Sequence, residues 1–293
     1  MAARLKSQEE YATLIDKYDT FLFDCDGVLW NGDAVVDGVI DVLRMLREKN
    51  KSVIFVTNNA SKSRVDYKGK FDKMGVQATE EEIFGSAYAS AVYISTVLRL
   101  PPTSKVYVIG MPGLEHELDT EGIAHIGGSD PADNTLEPFK LSTFVKDEKV
   151  SVVLCGLDLH INYTKYCKAF QYLRAGATFL ATNVDSTYPV DGGLLPGSGA
   201  LTYVLAKAMG VEPLSIGKPG KTMMDCIKAK HSFDPARTLM VGDRLDTDIL
   251  FGKNGGVSTL LVMTGVTTEA VLESTTIVPD YVIDSLGDLR VLI

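Results

Sequence analysis

Cysteine is scarce in this 293-residue chain. Its four cysteines, Cys25, Cys155, Cys167 and Cys226, form no Cys-x-x-Cys pair, so a disulfide framework is not expected and reduced thiols in the cytoplasm are. Long apolar runs are missing too: none approaches the roughly 20 residues that span a bilayer. The first ten residues, Met1 to Glu10, lack the apolar stretch of a secretory signal, which again predicts a cytoplasmic protein without a membrane partner. Positive charge is in deficit, 29 Lys and Arg against 38 Asp and Glu, for a net charge of −9. Nucleic-acid binding needs clustered Lys and Arg, so nucleic acid is not expected as a partner. A small anion is still compatible, because local dipoles and a metal can overcome a negative surface. Repeats and low-complexity segments are absent. A hydrophobic content of 45% with 23% charged residues is ordinary for a globular chain, enough for a sizeable core in one or two domains.

Along the chain, short apolar runs alternate with amphipathic stretches. A helix is predicted over 7–16, a strand over 20–25, a helix over 37–49 and a strand over 52–56. Helices follow to about residue 73 and over 85–100, the latter stopped by Pro101-Pro102. This alternation predicts an α/β fold with a parallel sheet. The pattern then restarts, with strands at 105–109, 150–155 and 178–182, helices near 113–121 and 162–175, a polar loop over 127–139, and a glycine-rich loop up to Gly199 before a helix to 209. After Glu212-Pro213 come a helix over 221–231, a strand at 238–241, a helix over 245–254 and strands at 258–263 and 281–283. The expected division is a core made of 1–101 and 213–293 with an inserted domain at 102–212.

The stretch Phe21–Gly27 organises the rest. Its apolar run ends in Asp24, Asp26 follows two residues later, and Gly27 comes next. This reads as a buried strand leaving the core and turning. Ligands of an open parallel sheet bind just beyond the strand C-termini. Taken alone, the stretch fits a solvated turn equally well. Two other strand ends share the theme: Thr57 and Asn58 follow one strand, and Asp243 with Asp248 follow another, while Lys218 precedes a proline at a helix entrance. Acids converging on one sheet edge repel by a few kcal/mol at about 4 Å, even at an effective dielectric near 20, so they need a cation. Hard oxygen ligands suit Mg²⁺. A metal, a Lys, a hydroxyl and an amide together suit a phosphoryl group, and a carboxylate there can attack phosphorus and form an aspartyl-phosphate.

These residues, in this order, resemble the haloacid dehalogenase superfamily of phosphohydrolases. Asp24-Cys25-Asp26-Gly27 matches its first motif, Thr57 the second, Lys218 the third, and Gly242-Asp243 through Asp248 the fourth. The resemblance implies a Rossmann-like core with an inserted α/β cap of the C2 type that closes over the site. It implies Asp24 as nucleophile and Asp26 as general acid and base. Thr57, Asn58 and Lys218 would bind the phosphoryl group. Mg²⁺ would be held by Asp24, Asp243 and the backbone carbonyl of Asp26, with Asp248 acting through water or by orienting the ligands. An acid at position 26 favours a phosphomonoesterase over ion transport or over carbon–phosphorus and carbon–halogen cleavage.

Ala181-Thr182-Asn183 with Asp185, Gly217-Lys218-Pro219 and Gly242-Asp243-Arg244-Leu245 narrow the resemblance to the group of 4-nitrophenylphosphatases, phosphoglycolate phosphatases and pyridoxal phosphatases. Such enzymes act on small phosphorylated metabolites and often dimerise through the cap. Where pyridoxal phosphatases carry substrate-contacting Tyr, Glu and His, this chain has Leu157, Leu159 and Tyr188, which points to phosphoglycolate-like acids. Pyridoxal phosphate and nucleotides are the alternatives. Leu157 and Leu159 serve equally for cap packing. Asn183 and Asp185 either contact substrate or stabilise their loop. His160 is expected to brace the cap and Trp30 to pack under the turn. Acids flanking Cys25 predict an inert thiol, although oxidation there would distort Asp24. A phosphotransferase and a silent phospho-binding module are the remaining readings of the same motifs.

Overall fold

The computed structural model describes residues 2–190 and 192–293. The chain divides into two compact units. One is Met1–Thr57 with Tyr67–Phe84 and Lys218–Ile293; the other is Asn58–Asp66 with Gly85–Gly217.

The first unit is built on a seven-stranded sheet. Its order is Ala3–Arg4, Tyr281–Ile283, Ser258–Val262, Thr238–Gly242, Thr20–Phe23, Ser52–Thr57 and Ile83–Gly85. Thr20–Phe23 and Thr238–Gly242 are buried along their whole lengths. A parallel strand covered on both faces reads as a continuous apolar run rather than an alternation. The register decides where the site falls. Phe23 lies level with Val241 on one side and with Phe55 on the other, all three strands running parallel. Asp24, Thr57 and Asp243 therefore leave the same edge of the sheet within two residues of one level. Helix Val39–Glu48 buries Val39, Val42, Leu43, Met45 and Leu46, a spacing of three and four that turns one stripe inward. Trp30, Phe55 and Phe71 join it in the largest core cluster.

The second unit has its own parallel sheet of five strands, ordered Leu214–Ser215, Thr178–Ala181, Val150–Cys155, Lys105–Ile109 and His125–Gly127. Helix Tyr163–Arg174 packs on it through Ala169, Tyr172 and Leu173. Lys165 and Asp158 form an ion pair at 2.6 Å with both side chains 1% exposed. The Asp158 carboxylate also accepts the His160 N–H at 2.8 Å, so this pair ties down the loop that carries Leu157 and Leu159.

Several elements depart from the expected pattern. The glycine-rich stretch before Gly199 contains an antiparallel hairpin, Thr187–Val190 with Gly193–Pro196. Its prolines and glycines hide the strand alternation, while Gly192 supplies a positive φ of 86°. The helix expected over 85–100 is α-helical only over Ser86–Val92 and widens into a π turn over Tyr93–Leu98. The helix after Asp243 likewise opens as a π turn, Leu245–Ile249, with the Ile249 N–H donating to Arg244 O at 3.1 Å. Ala3–Arg4, Ile83–Gly85 and His125–Gly127 are too short to show a period. Among the described residues, no helix is long and apolar enough to cross a membrane.

Candidate active site

Lys218 stands at the centre of the polar edge of the first unit. Its ammonium donates to Asp24 Oδ1 at 2.5 Å, to Asp248 Oδ1 at 2.7 Å and to the Val56 carbonyl at 2.9 Å, and its side chain is 2% exposed. Asp248 Oδ2 accepts the backbone N–H groups of Asp243 and Arg244 at 3.2 and 3.1 Å. The π turn after the strand makes this possible by bending Asp248 back over its own entrance. Gly242 is required there, since a Cβ at that position would overlap Asp248. Asp243 Oδ2 accepts the Val266 N–H at 2.6 Å, with Gly27 and Gly265 packed so close that a Cβ on either would collide with its carboxylate.

Asp24, Asp243 and Asp248 each offer a carboxylate oxygen within 4.8 Å of the others. Two like charges at that separation repel by about 3 kcal/mol at an effective dielectric of 20. Three carboxylates facing one ammonium leave net negative charge in a buried place. Burial raises the pKa of Asp24; Lys218 opposes this, Asp248 and Asp243 add to it, and the result lies well above the usual carboxylate range. Burial, and then Asp248, push Asp243 up to about 7. Burial pulls the Lys218 ammonium toward neutrality, but Asp24 and Asp248 more than reverse this and hold it charged. An all-oxygen donor set with excess negative charge fits a hard divalent cation such as Mg²⁺.

The profile of haloacid dehalogenase-like hydrolases matches residues 21–124, and a second profile, HAD-hydrolase-like, matches residues 215–289. A 4-nitrophenylphosphatase of Schizosaccharomyces pombe is 48% identical over 294 residues, 99% of either chain. The chain belongs to the haloacid dehalogenase-like hydrolases. Phosphoglycolate phosphatase 2 of Arabidopsis thaliana is 42% identical, over 99% of this chain and 98% of its own. Among solved structures, a glycerol phosphate phosphatase from Mycobacterium tuberculosis in complex with magnesium has a TM-score of 0.80 at 29% identity, covering 94% of this chain and 77% of that one.

The remaining residues singled out in this hydrolase fall into separate groups. Thr57 is buried, with its hydroxyl 3.4 Å from that of Tyr67. The Asp26 carboxylate accepts from Trp30 Nε1 at 2.8 Å, and Lys70 Nζ lies 3.4 Å from the same oxygen. Trp30, expected as packing, thus has a polar partner, and the sequence pattern gives no sign of Lys70, which is 44 residues from Asp26. Cys25 is fully buried; burial first, and then Asp24 and Asp26, push its thiol well up, which keeps it neutral. In the second unit, Asp185 Oδ2 accepts from Asn58 Nδ2 at 2.9 Å and from Asn183 Nδ2 at 2.6 Å. Asn58, Asn183 and Asp185 are therefore one hydrogen-bonded group. Leu157 is half-buried, Leu159 is 61% exposed, and Tyr188 pairs across the hairpin with Leu195.

Proposed function

We propose that this hydrolase is a Mg²⁺-dependent phosphomonoesterase working through an aspartyl-phosphate on Asp24. The observation that carries the reading is the Asp24 carboxylate, at a strand end, held by Lys218 at 2.5 Å within a trio of acids. Asp24 attacks phosphorus, the bond from phosphorus to the alcohol oxygen breaks, and the departing oxygen takes a proton from Asp26. Water then attacks phosphorus and gives its proton to Asp26, the bond to Asp24 breaks, and inorganic phosphate leaves. Lys218 fixes the nucleophile and offsets phosphoryl charge, while Thr57 and Asn58 supply hydrogen bonds to the transferring group. Mg²⁺ held by Asp24, Asp243 and the Asp26 carbonyl, with Asp248 orienting the set, would supply the charge neutralisation that the phosphoryl oxygens need.

The substrate class we favour is a small phosphorylated acid or polyol of the phosphoglycolate type, with 4-nitrophenyl phosphate as a laboratory substrate. The names of the relatives support this. We assign the choice of alcohol to Leu157, Leu159 and Tyr188, for which the exposure of Leu159 is support. A homodimer formed through the second unit belongs to the same reading, supported by exposed Leu194, Leu195 and Tyr203. A cytoplasmic location accords with four unpaired thiols. Asp24→Asn should abolish phosphate release from 4-nitrophenyl phosphate while far-ultraviolet circular dichroism stays that of the wild type. Full activity in that variant would refute the assignment. Comparing kcat/KM over phosphoglycolate, glycerol phosphate, pyridoxal phosphate and nucleotides ranks the substrates.

A further inference from the structure

We propose that Trp30 and Lys70 are positioning residues that aim the Asp26 carboxyl for proton transfer to the leaving alcohol. The inference rests on the reading of Asp26 as general acid and base. Asp26 leaves the strand on a turn, and its side chain is 45% exposed. An exposed Asp would spread over several rotamers. Here one oxygen is taken from two sides. Trp30 Nε1 donates to Oδ1 at 2.8 Å, and Lys70 Nζ stands 3.4 Å from that same Oδ1. Both groups are donors only, so each requires Oδ1 to accept, and the transferable proton falls to Oδ2.

The donors are themselves fixed. The indole is 0% exposed and meets the Phe71 ring edge-on, with centroids 4.9 Å apart. The Trp30 carbonyl accepts the Gly27 N–H at 2.8 Å, which closes the turn around Asp26. Lys70 lies 4.4 Å over the indole ring, on the same helix as Phe71. A cation over an indole face is favoured by the ring quadrupole. The arrangement thus runs from a helix face, through one aromatic ring, to one carboxylate oxygen. If Asp26 served merely to satisfy a buried indole N–H, removing that N–H would cost stability but would not discriminate between leaving groups.

Leaving groups separate the two roles. Nitrophenolate departs with little help from an acid, whereas an alkoxide needs the proton in the transition state. The ratio kcat/KM reports steps up to release of the alcohol, so it isolates the step in which Asp26 donates. Trp30→Phe keeps a ring against Phe71 and removes the N–H. Lys70→Gln removes the ammonium from a partly exposed site and serves if Trp30→Phe folds poorly. For both variants kcat/KM on 2-phosphoglycolate should fall roughly tenfold to a hundredfold, and on 4-nitrophenyl phosphate by clearly less. Equal losses on the two esters, or no loss on either, would overturn the proposal. Asp26→Asn is measured alongside. If it retains hydrolysis of 2-phosphoglycolate, the reading of Asp26 fails and the proposal with it; if it loses that hydrolysis while Trp30→Phe and Lys70→Gln match the wild type, positioning alone fails.

Discussion

Replacing Lys218 by methionine would remove the one ammonium that separates Asp24 from Asp248. At contacts of 2.5 and 2.7 Å, each attraction is about 6 kcal/mol at an effective dielectric of 20. Several kcal/mol of that is spent in desolvating the charges, so the net cost of stripping one partner from such a buried group is about 3–5 kcal/mol. The cluster has one way to soften the loss, which is to take up a proton. Without the ammonium, the Asp24 and Asp243 carboxyls, already raised by burial, rise further above their unfolded values near 4. A carboxyl raised on folding binds more protons in the folded state, so stability falls as pH rises through the interval between the two values. Lys218→Met should therefore unfold in urea with EDTA at a cost of about 3–5 kcal/mol near pH 8 and distinctly less near pH 5. Added Mg²⁺ should restore more stability to the variant than to the wild type, because the cation enters a site with one positive charge fewer. A loss below about 1 kcal/mol that does not change with pH would sink the argument that Lys218 holds the acids together.

Two further outcomes are expected. Gly265→Ala places a methyl group on the Asp243 carboxylate, so it should weaken Mg²⁺ binding, lower kcat by about tenfold or more, and cost about 1–3 kcal/mol of urea stability in EDTA; calorimetric titration of Mg²⁺ checks this. Asp243, held near 7 without a cation, must lose its proton to act as a ligand, as must the raised Asp24, so apparent Mg²⁺ affinity should climb with pH through about 7. Affinity that is flat between pH 5 and 8 would contradict the crowding of acids around Asp248.

The proposed site residues that gather at one sheet edge are legible where an apolar run stops. Phe21-Leu22-Phe23 runs into Asp24, Val53 to Val56 into Thr57, and Leu239-Met240-Val241 into Gly242-Asp243. A buried parallel strand announces itself by composition, and its end by the first group that needs water or a ligand. Lys218 has no such signal; only its place in an ordered set of motifs singles it out. Contacts made across long separations were not legible. Lys70 reaches Asp26 through the packing of Phe71 on Trp30, and nothing in the spacing of a basic helix says which of its lysines faces an acid. The 187–196 hairpin was hidden for another reason, since its prolines and glycines read as a loop while the pairing depends on a partner strand. The π turn at Leu245–Ile249 leaves the helical period almost intact, so it shows only in the hydrogen bond from Ile249 to Arg244.

The register of Thr20–Phe23 between Ser52–Thr57 and Thr238–Gly242 has a kinetic consequence. The central strand of the first unit finds one neighbour within forty residues and must wait for the other until more than two hundred have been made. Lys218 likewise meets Asp24 across a separation of 194 residues. A chain emerging from the ribosome therefore carries Asp24, the proposed nucleophile, long before it carries Lys218 and Asp248. The second unit, nearly contiguous at 85–217, faces no such delay. Refolding should show a fast phase for the inserted sheet and a slower one, set by loop-closure entropy, in which activity appears. Truncated translation products ending before Lys218 would be catalytically inert.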